Sequence, residues 1–183
     1  TLAGVLAERL LEHVPYLDKV FFANSGAETV EAAIKFARGA TGRPGIVSCS
    51  HSFHGLSYGA LSLMDDTNFR SGFEPLLPGC VQIPFNDLAA LEQALSSRQV
   101  AAFIVEPIQG KGVNLPSDEF LPGAAALCKK YGSLFIADEI QTGIGRTGKF
   151  LAVEHWNVEP DMVLLAKALS GGHIPVGALL TRK

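Results

Sequence analysis

The stretch MVLLAKALSGG (residues 162–172) decides the fold. Met162 to Ala166 are five apolar residues in a row. A strand with one wet face alternates apolar and polar residues, whereas an unbroken run belongs to a strand covered on both faces. Such strands build parallel sheets flanked by helices. The run ends in Lys167, followed by Ala-Leu-Ser-Gly-Gly, so an ammonium group stands where the strand stops.

The neighbouring segments read the same way. VAAFIVEP (100–107) and SLFIADE (133–139) are also near-continuous apolar runs that end in carboxylates. KVFFA, GIVSCS, CVQIPF and VGALLTR supply further strands. Helical patterns lie between most of them: residues 2–13, NSGAETVEAAIKFARGA (24–40), DLAALEQALSS (87–97) and SDEFLPGAAALCKKYG (117–132), with a short helix or turn in HGLSYGALSLM (54–64). Ser25 and Glu28 have capping-box spacing, and Ala32, Ala33, Phe36 and Ala37 form an apolar stripe. The expected class is α/β, with a mainly parallel sheet of about seven strands flanked by helices.

Composition narrows the function. The chain has 183 residues, 48% of them hydrophobic, and a formal net charge of −3. That is enough apolar material for one core. It gives no electrostatic reason to expect nucleic acid or an anionic membrane as partner. No apolar run reaches the roughly 18–20 residues of a membrane span. The N-terminal stretch carries Glu8, Arg9 and Glu12 at helical spacing and does not read as a signal peptide. Cys49, Cys80 and Cys128 are odd in number and far apart, as expected of reduced thiols in a cytoplasmic protein. The chain lacks an initiator Met, opens inside a helical pattern and stops just after a strand pattern, so a piece of a longer protein is expected.

In open α/β sheets ligands bind beyond the carboxyl ends of the strands. Those ends here carry Asn24-Ser25-Gly26, Ser50 to His54, Glu106, Asp138-Glu139 and Lys167. Singly, each has a plain reading: a glycine-containing helix start, a solvated loop acid, a lysine whose stem lies along apolar surface. GIGRTG (143–148) matches a dinucleotide fingerprint, but EIQT separates it from its strand, and the next strand ends in Lys167 rather than an acid. A plain glycine-rich turn is expected there. Cys49, His51 and His54 lack the accompanying ligands that a zinc site needs, so no metal is expected. Together, however, an anion-binding helix start, a buried acid and a lysine are what pyridoxal 5'-phosphate (PLP) requires. The lysine forms a Schiff base, the acid keeps the pyridine nitrogen protonated, and the helix start takes the phosphate.

The segments NSGAETVEAAIKFAR, HSFHG, VEPIQG, FIADEIQTGIGRTGKFLAVEH and PDMVLLAKALSGGHIPVGA, in this order, resemble the class III (ornithine/acetylornithine/GABA-type) aminotransferases of PLP fold type I. The resemblance covers nearly the whole chain and includes the Asp138-to-Lys167 interval. It implies that Lys167 attaches the cofactor and serves as general base, and that Asp138 binds the pyridinium nitrogen. Gln141 would bond near the ring's phenolic oxygen, with Glu106 helping to orient it. Ile140 and Phe53 would cover the two ring faces, His54 beside Phe53 would also belong to the cofactor-binding set, and Ser25, Gly26 and Ala27 would contact the phosphate. The reaction implied is transfer of an amino group from an amine or amino acid to a keto acid or aldehyde in two half-reactions. The alternatives are decarboxylation, racemisation or aminomutase action on the same scaffold, or a fragment inactive by itself.

Two positions depart from the family. Many members carry Arg after FHG, where this chain has Leu56, and Glu after EPIQG, where it has Lys111. Leucine cannot pair with a substrate carboxylate, and lysine reverses the charge facing an arginine expected from the C-terminal domain. A substrate other than ornithine is expected, and an apolar or alcohol-derived aldehyde would suit Leu56. The variant EPIQGKGVNLP is also similar to a segment of bacterial hopanoid-tailoring aminotransferases. The chain is short for the family. Residues 1–183 would be the central part of the large PLP-binding domain, without the small C-terminal domain and the N-terminal segment, and the whole protein would be a homodimer.

Overall fold

Seven strands form in the computed structural model, which describes residues 1–182. They are β1 (Lys19–Ala23), β2 (Gly45–Cys49), β3 (Cys80–Ile83), β4 (Val100–Val105), β5 (Leu134–Asp138), β6 (Met162–Leu165) and β7 (Gly177–Thr181). The helices are α1 (Leu2–Glu12), α2 (Gly26–Thr41), α3 (Tyr58–Ser62), α4 (Thr67–Arg70), α5 (Leu88–Ser96) and α6 (Phe120–Tyr131), with short 3-10 turns at Ala152–Trp156 and Lys167–Ser170.

The strands lie in one sheet in the order β1-β7-β6-β5-β4-β2-β3. Neighbours from β3 across to β6 pair in parallel. β7 is antiparallel to both β6 and β1, so it alone is reversed among the described strands. The continuous apolar runs occupy the centre: every residue of β4 and β6 is buried. The edge strands alternate instead, and Val81 on β3 is 52% exposed. That is the pattern expected where a sheet has helices on both faces and edges open to water.

Each face has its own core. On one, Val30, Ala33, Ile34 and Ala37 of α2 pack on Ile46, Ile104, Ile136 and Leu164. On the other, Leu91 and Leu95 of α5 and Phe120, Leu121 and Cys128 of α6 pack on Val47, Phe103, Phe135 and Val163. Successive strand residues point to opposite faces. Asp138, two residues after Ile136, therefore belongs to the α2 side, as does Glu106, two residues after Ile104.

Local signals explain the element ends. Ser25 caps α2, its Oγ accepting the Glu28 N–H at 3.2 Å. The Glu28 carboxylate reaches back to the backbone N–H and the side-chain amide of Asn24, one residue beyond the usual capping-box partner. α6 begins at Phe120, later than its sequence pattern, which leaves Pro122 in the first turn where no N–H donor is needed. GIGRTG is a turn, packed so closely that a Cβ on Gly143 would lie 2.8 Å from the Glu139 carbonyl oxygen. All three cysteines are free thiols, with Cys49 and Cys128 buried. Among the described residues no helix is long and apolar enough to cross a membrane, and no group of three or more His, Cys, Asp or Glu side chains is placed to hold a metal.

Candidate active site

Because β1, β2, β4, β5 and β6 run in one direction, their carboxyl ends share one edge of the sheet. A cavity of about 900 Å³ opens there. Of the strand-end residues, Ser50, His51, Ser52 and Glu139 do not line it, but every residue to which the resemblance gives a role does, as do the two departures Leu56 and Lys111: Ser25, Gly26 and Ala27 at the start of α2; Phe53, His54 and Leu56 after β2; Glu106 and Lys111 after β4; Asp138, Ile140 and Gln141 at the end of β5; and Lys167 after β6.

Asp138 is 3% exposed, and both its oxygens are engaged. Oδ1 accepts the Ile140 N–H at 3.1 Å, and Oδ2 lies 2.7 Å from His54 Nδ1. His54 is buried, and its Nε2 has no partner. Burial pushes the imidazole pKa down, but the Asp138 hydrogen bond, the Asp138 charge and the Glu106 charge together raise it above the ordinary value. Glu106 is pushed up, first by burial and further by the nearby Asp138 charge, while the His54 charge opposes. Its carboxylate accepts N–H groups from Phe53 at 3.0 Å and Gly110 at 3.1 Å. Gly110 in turn abuts Gln141, where a Cβ would come within 2.4 Å of Nε2. Glu106 thus meets Gln141 through the backbone of Gly110.

Lys167 stands one residue past the buried run, exposed to the cavity, and donates to Gln141 Oε1. Its φ of 43° lies in the left-handed region, which turns the chain sharply off the strand. The first turn of α2 approaches from the opposite side. A Cβ on Gly26 would lie 3.0 Å from Ile140 Cδ1, so glycine lets the helix start close on the Ile140 side chain.

The outer wall holds residues that the sequence did not single out. Lys111 pairs with Asp66 and lies 5.5 Å from the centre of the Phe69 ring. The hydrogen bond from Lys111 holds the Asp66 carboxyl below the usual range. Phe69 also packs edge-on against Phe53 at 5.5 Å. The loop after Lys167 adds His173 and Ile174. Asp66 and Phe69 are 45 and 42 residues from Lys111, and no short-range pattern connects them.

Buried acid, lysine and helix start around one cavity at a parallel-sheet edge are the arrangement in which α/β folds bind small ligands. The amino-acid sequence matches the class-III aminotransferase family over residues 2–183, and the chain belongs to that family. Among its relatives, the ornithine aminotransferase of Plasmodium falciparum is 45% identical over 184 residues, covering 96% of this chain and 44% of that protein. The acetylornithine aminotransferase of a Bacillus cereus strain is 52% identical over 168 residues, 91% of this chain and 43% of that protein. The crystal structure of ornithine aminotransferase from Toxoplasma gondii superposes with a TM-score of 0.94 at 38% identity, over 98% of this chain and 45% of that one. An amine transaminase from an uncultivated Pseudomonas species, solved in its PLP-bound form, gives 0.91 at 32% identity, over 98% and 47%. The chain spans less than half the length of these relatives.

Proposed function

We propose that the protein containing this chain is a PLP-dependent transaminase, and that residues 1–183 are the central part of its large domain. The observation that carries this reading is the convergence of Lys167, Asp138 and the start of α2 on one cavity. The residues fit the cofactor. A buried carboxylate already held by His54 and the Ile140 N–H suits a protonated ring nitrogen, and an amine faces the same space. The first turn of α2 suits a phosphate.

PLP supplies an electrophilic carbonyl and an electron-accepting ring. Lys167 Nζ would hold it covalently and, once displaced by the donor amine, carry the proton away from the donor carbon. Asp138 would keep a proton on the ring nitrogen, with His54 fixing the carboxylate from behind. Phe53 and Ile140 would orient the ring and exclude water, and Gln141 would hold both its polar edge and the resting Lys167 amine. Ser25, Gly26 and Ala27 would bind the phosphate, and Glu106 would anchor the loops carrying Phe53 and Gly110.

Leu56 and Lys111 set the proposed substrate preference. Leu56 offers the cavity no cation, and the Lys111 charge is already matched by Asp66. A donor or acceptor with an apolar distal end suits this wall better than ornithine. We place the enzyme in the cytoplasm as a homodimer acting on an amine or amino acid and a keto acid or aldehyde.

The test is reduction of the whole protein with borohydride in the presence of PLP, followed by peptide mapping. An adduct on Lys167 is expected, and its absence there would overturn the assignment. A panel of amines assayed with 2-oxoglutarate, pyruvate and aldehydes then addresses preference. Strong activity with ornithine or acetylornithine would overturn the reading of Leu56 and Lys111.

A further inference from the structure

The segment from Phe53 to Ala60 hangs from three carboxylates on three different elements. Glu106, beyond β4, accepts the Phe53 N–H at 3.0 Å. Asp138, at the end of β5, lies 2.7 Å from His54 Nδ1. Glu31, in α2, accepts the N–H groups of Gly59 at 2.7 Å and Ala60 at 3.2 Å, both through Oε1. The first two acids line the cavity, whereas Glu31 does not. It reaches the segment from the helix whose first turn presents Ser25, Gly26 and Ala27.

Two glycines show how closely the segment is drawn against α2. Gly55 has φ 129°, and a Cβ there would lie 2.8 Å from Ala27 Cβ. A Cβ on Gly59 would fall 2.2 Å from Glu31 Oε2. The two contacts lie on either side of Leu56. α3, which contains Gly59, is only five residues long, too short to hold its shape unaided. Its Ser57 N-cap makes no side-chain cap bond, so a carboxylate from α2 takes that place at Gly59 and Ala60.

We propose that Glu31 is a positioning residue that fixes the distance between the first turn of α2 and the wall carrying Phe53 and Leu56. Cofactor affinity then depends on a side chain that never touches the cofactor. This inference rests on the reading above that the cavity takes PLP.

The test compares Glu31→Ala with Glu31→Gln in the whole protein. One amide oxygen at the Oε1 position can still accept both N–H groups, so glutamine should rescue. In the cofactor-free protein, amide exchange at Gly59 and Ala60 should quicken about tenfold in the alanine variant and stay within about twofold of wild type in the glutamine variant. The PLP dissociation constant should follow the same split, rising about tenfold for alanine and no more than about twofold for glutamine. Wild-type affinity in both variants would overturn the proposal. So would equal weakening in both, accompanied by an equal drop in the melting temperature of the cofactor-free protein, because that pattern marks a general loss of stability. A wild-type protein that took up no PLP would overturn the transaminase reading and this role for Glu31 together, while the exchange rates would still show whether the clasp exists.

Discussion

Lys167 carries a Cβ through φ 43°, a conformation that costs a non-glycine residue about 1–2 kcal/mol. Replacing it should therefore have opposite effects on stability and chemistry. Lys167→Gly is expected to stabilise the cofactor-free protein by about 1 kcal/mol in urea unfolding, with no such gain for Lys167→Ala. Both variants should lose covalent PLP. Equal stability of the two would show that the backbone there is unstrained. His54 makes a second prediction at this scale. Its pKa is raised from 6.5 in the folded protein, chiefly by Asp138 working against burial. The stabilisation from protonated His54 is fully present below that unfolded value and is lost as pH rises through the folded one. The stability gap between wild type and His54→Asn should thus narrow as pH climbs from near 6.5 into the alkaline range. A gap that widened would contradict the protonated pair. Lys167 and Asp138 were legible in the sequence because each breaks an apolar run. Asp66 and Glu31 were not, because each acts on backbone or side chains brought near only by the fold.

At the scale of elements, the central strands could be read directly, since burial on both faces forces unbroken apolar runs. α4 and the turns at 152–156 and 167–170 could not, because four or five residues show no period. The turn at 152–156 is fixed from a distance by Glu139, which is 1% exposed. Its carboxylate accepts from the Thr142 hydroxyl and from the N–H groups of Ala152 and Val153. In the sequence it looks like an ordinary loop acid. Glu139→Ala strands two buried backbone donors, each worth about 1–3 kcal/mol, so a loss of at least about 2 kcal/mol is expected in chemical unfolding. Glu139→Gln should cost less. It keeps an acceptor oxygen and removes a charge that burial disfavours, as the raised Glu139 pKa indicates. Equal losses for the two would mean that the clamp depends on charge rather than on acceptor geometry.

At the scale of the whole molecule, the reversed β7 has a consequence for synthesis. Among the described residues β7 is the one sheet neighbour of β1, so the backbone groups of β1 wait for residues 177–181 to appear. At about 5–20 residues per second, that wait is roughly 8–30 s on the ribosome. The helix start that follows β1 stays loosely placed for as long. Ribosome-bound chains stalled before Gly177 should be cut by protease near Lys19–Ala23, and chains stalled well beyond Thr181 should resist. Resistance at the earlier point would mean that another segment shelters β1 first. The strand that closes the sheet thus also keeps time: Lys167 precedes Gly177 in the chain, so the amine is made before the helix start that faces it can settle.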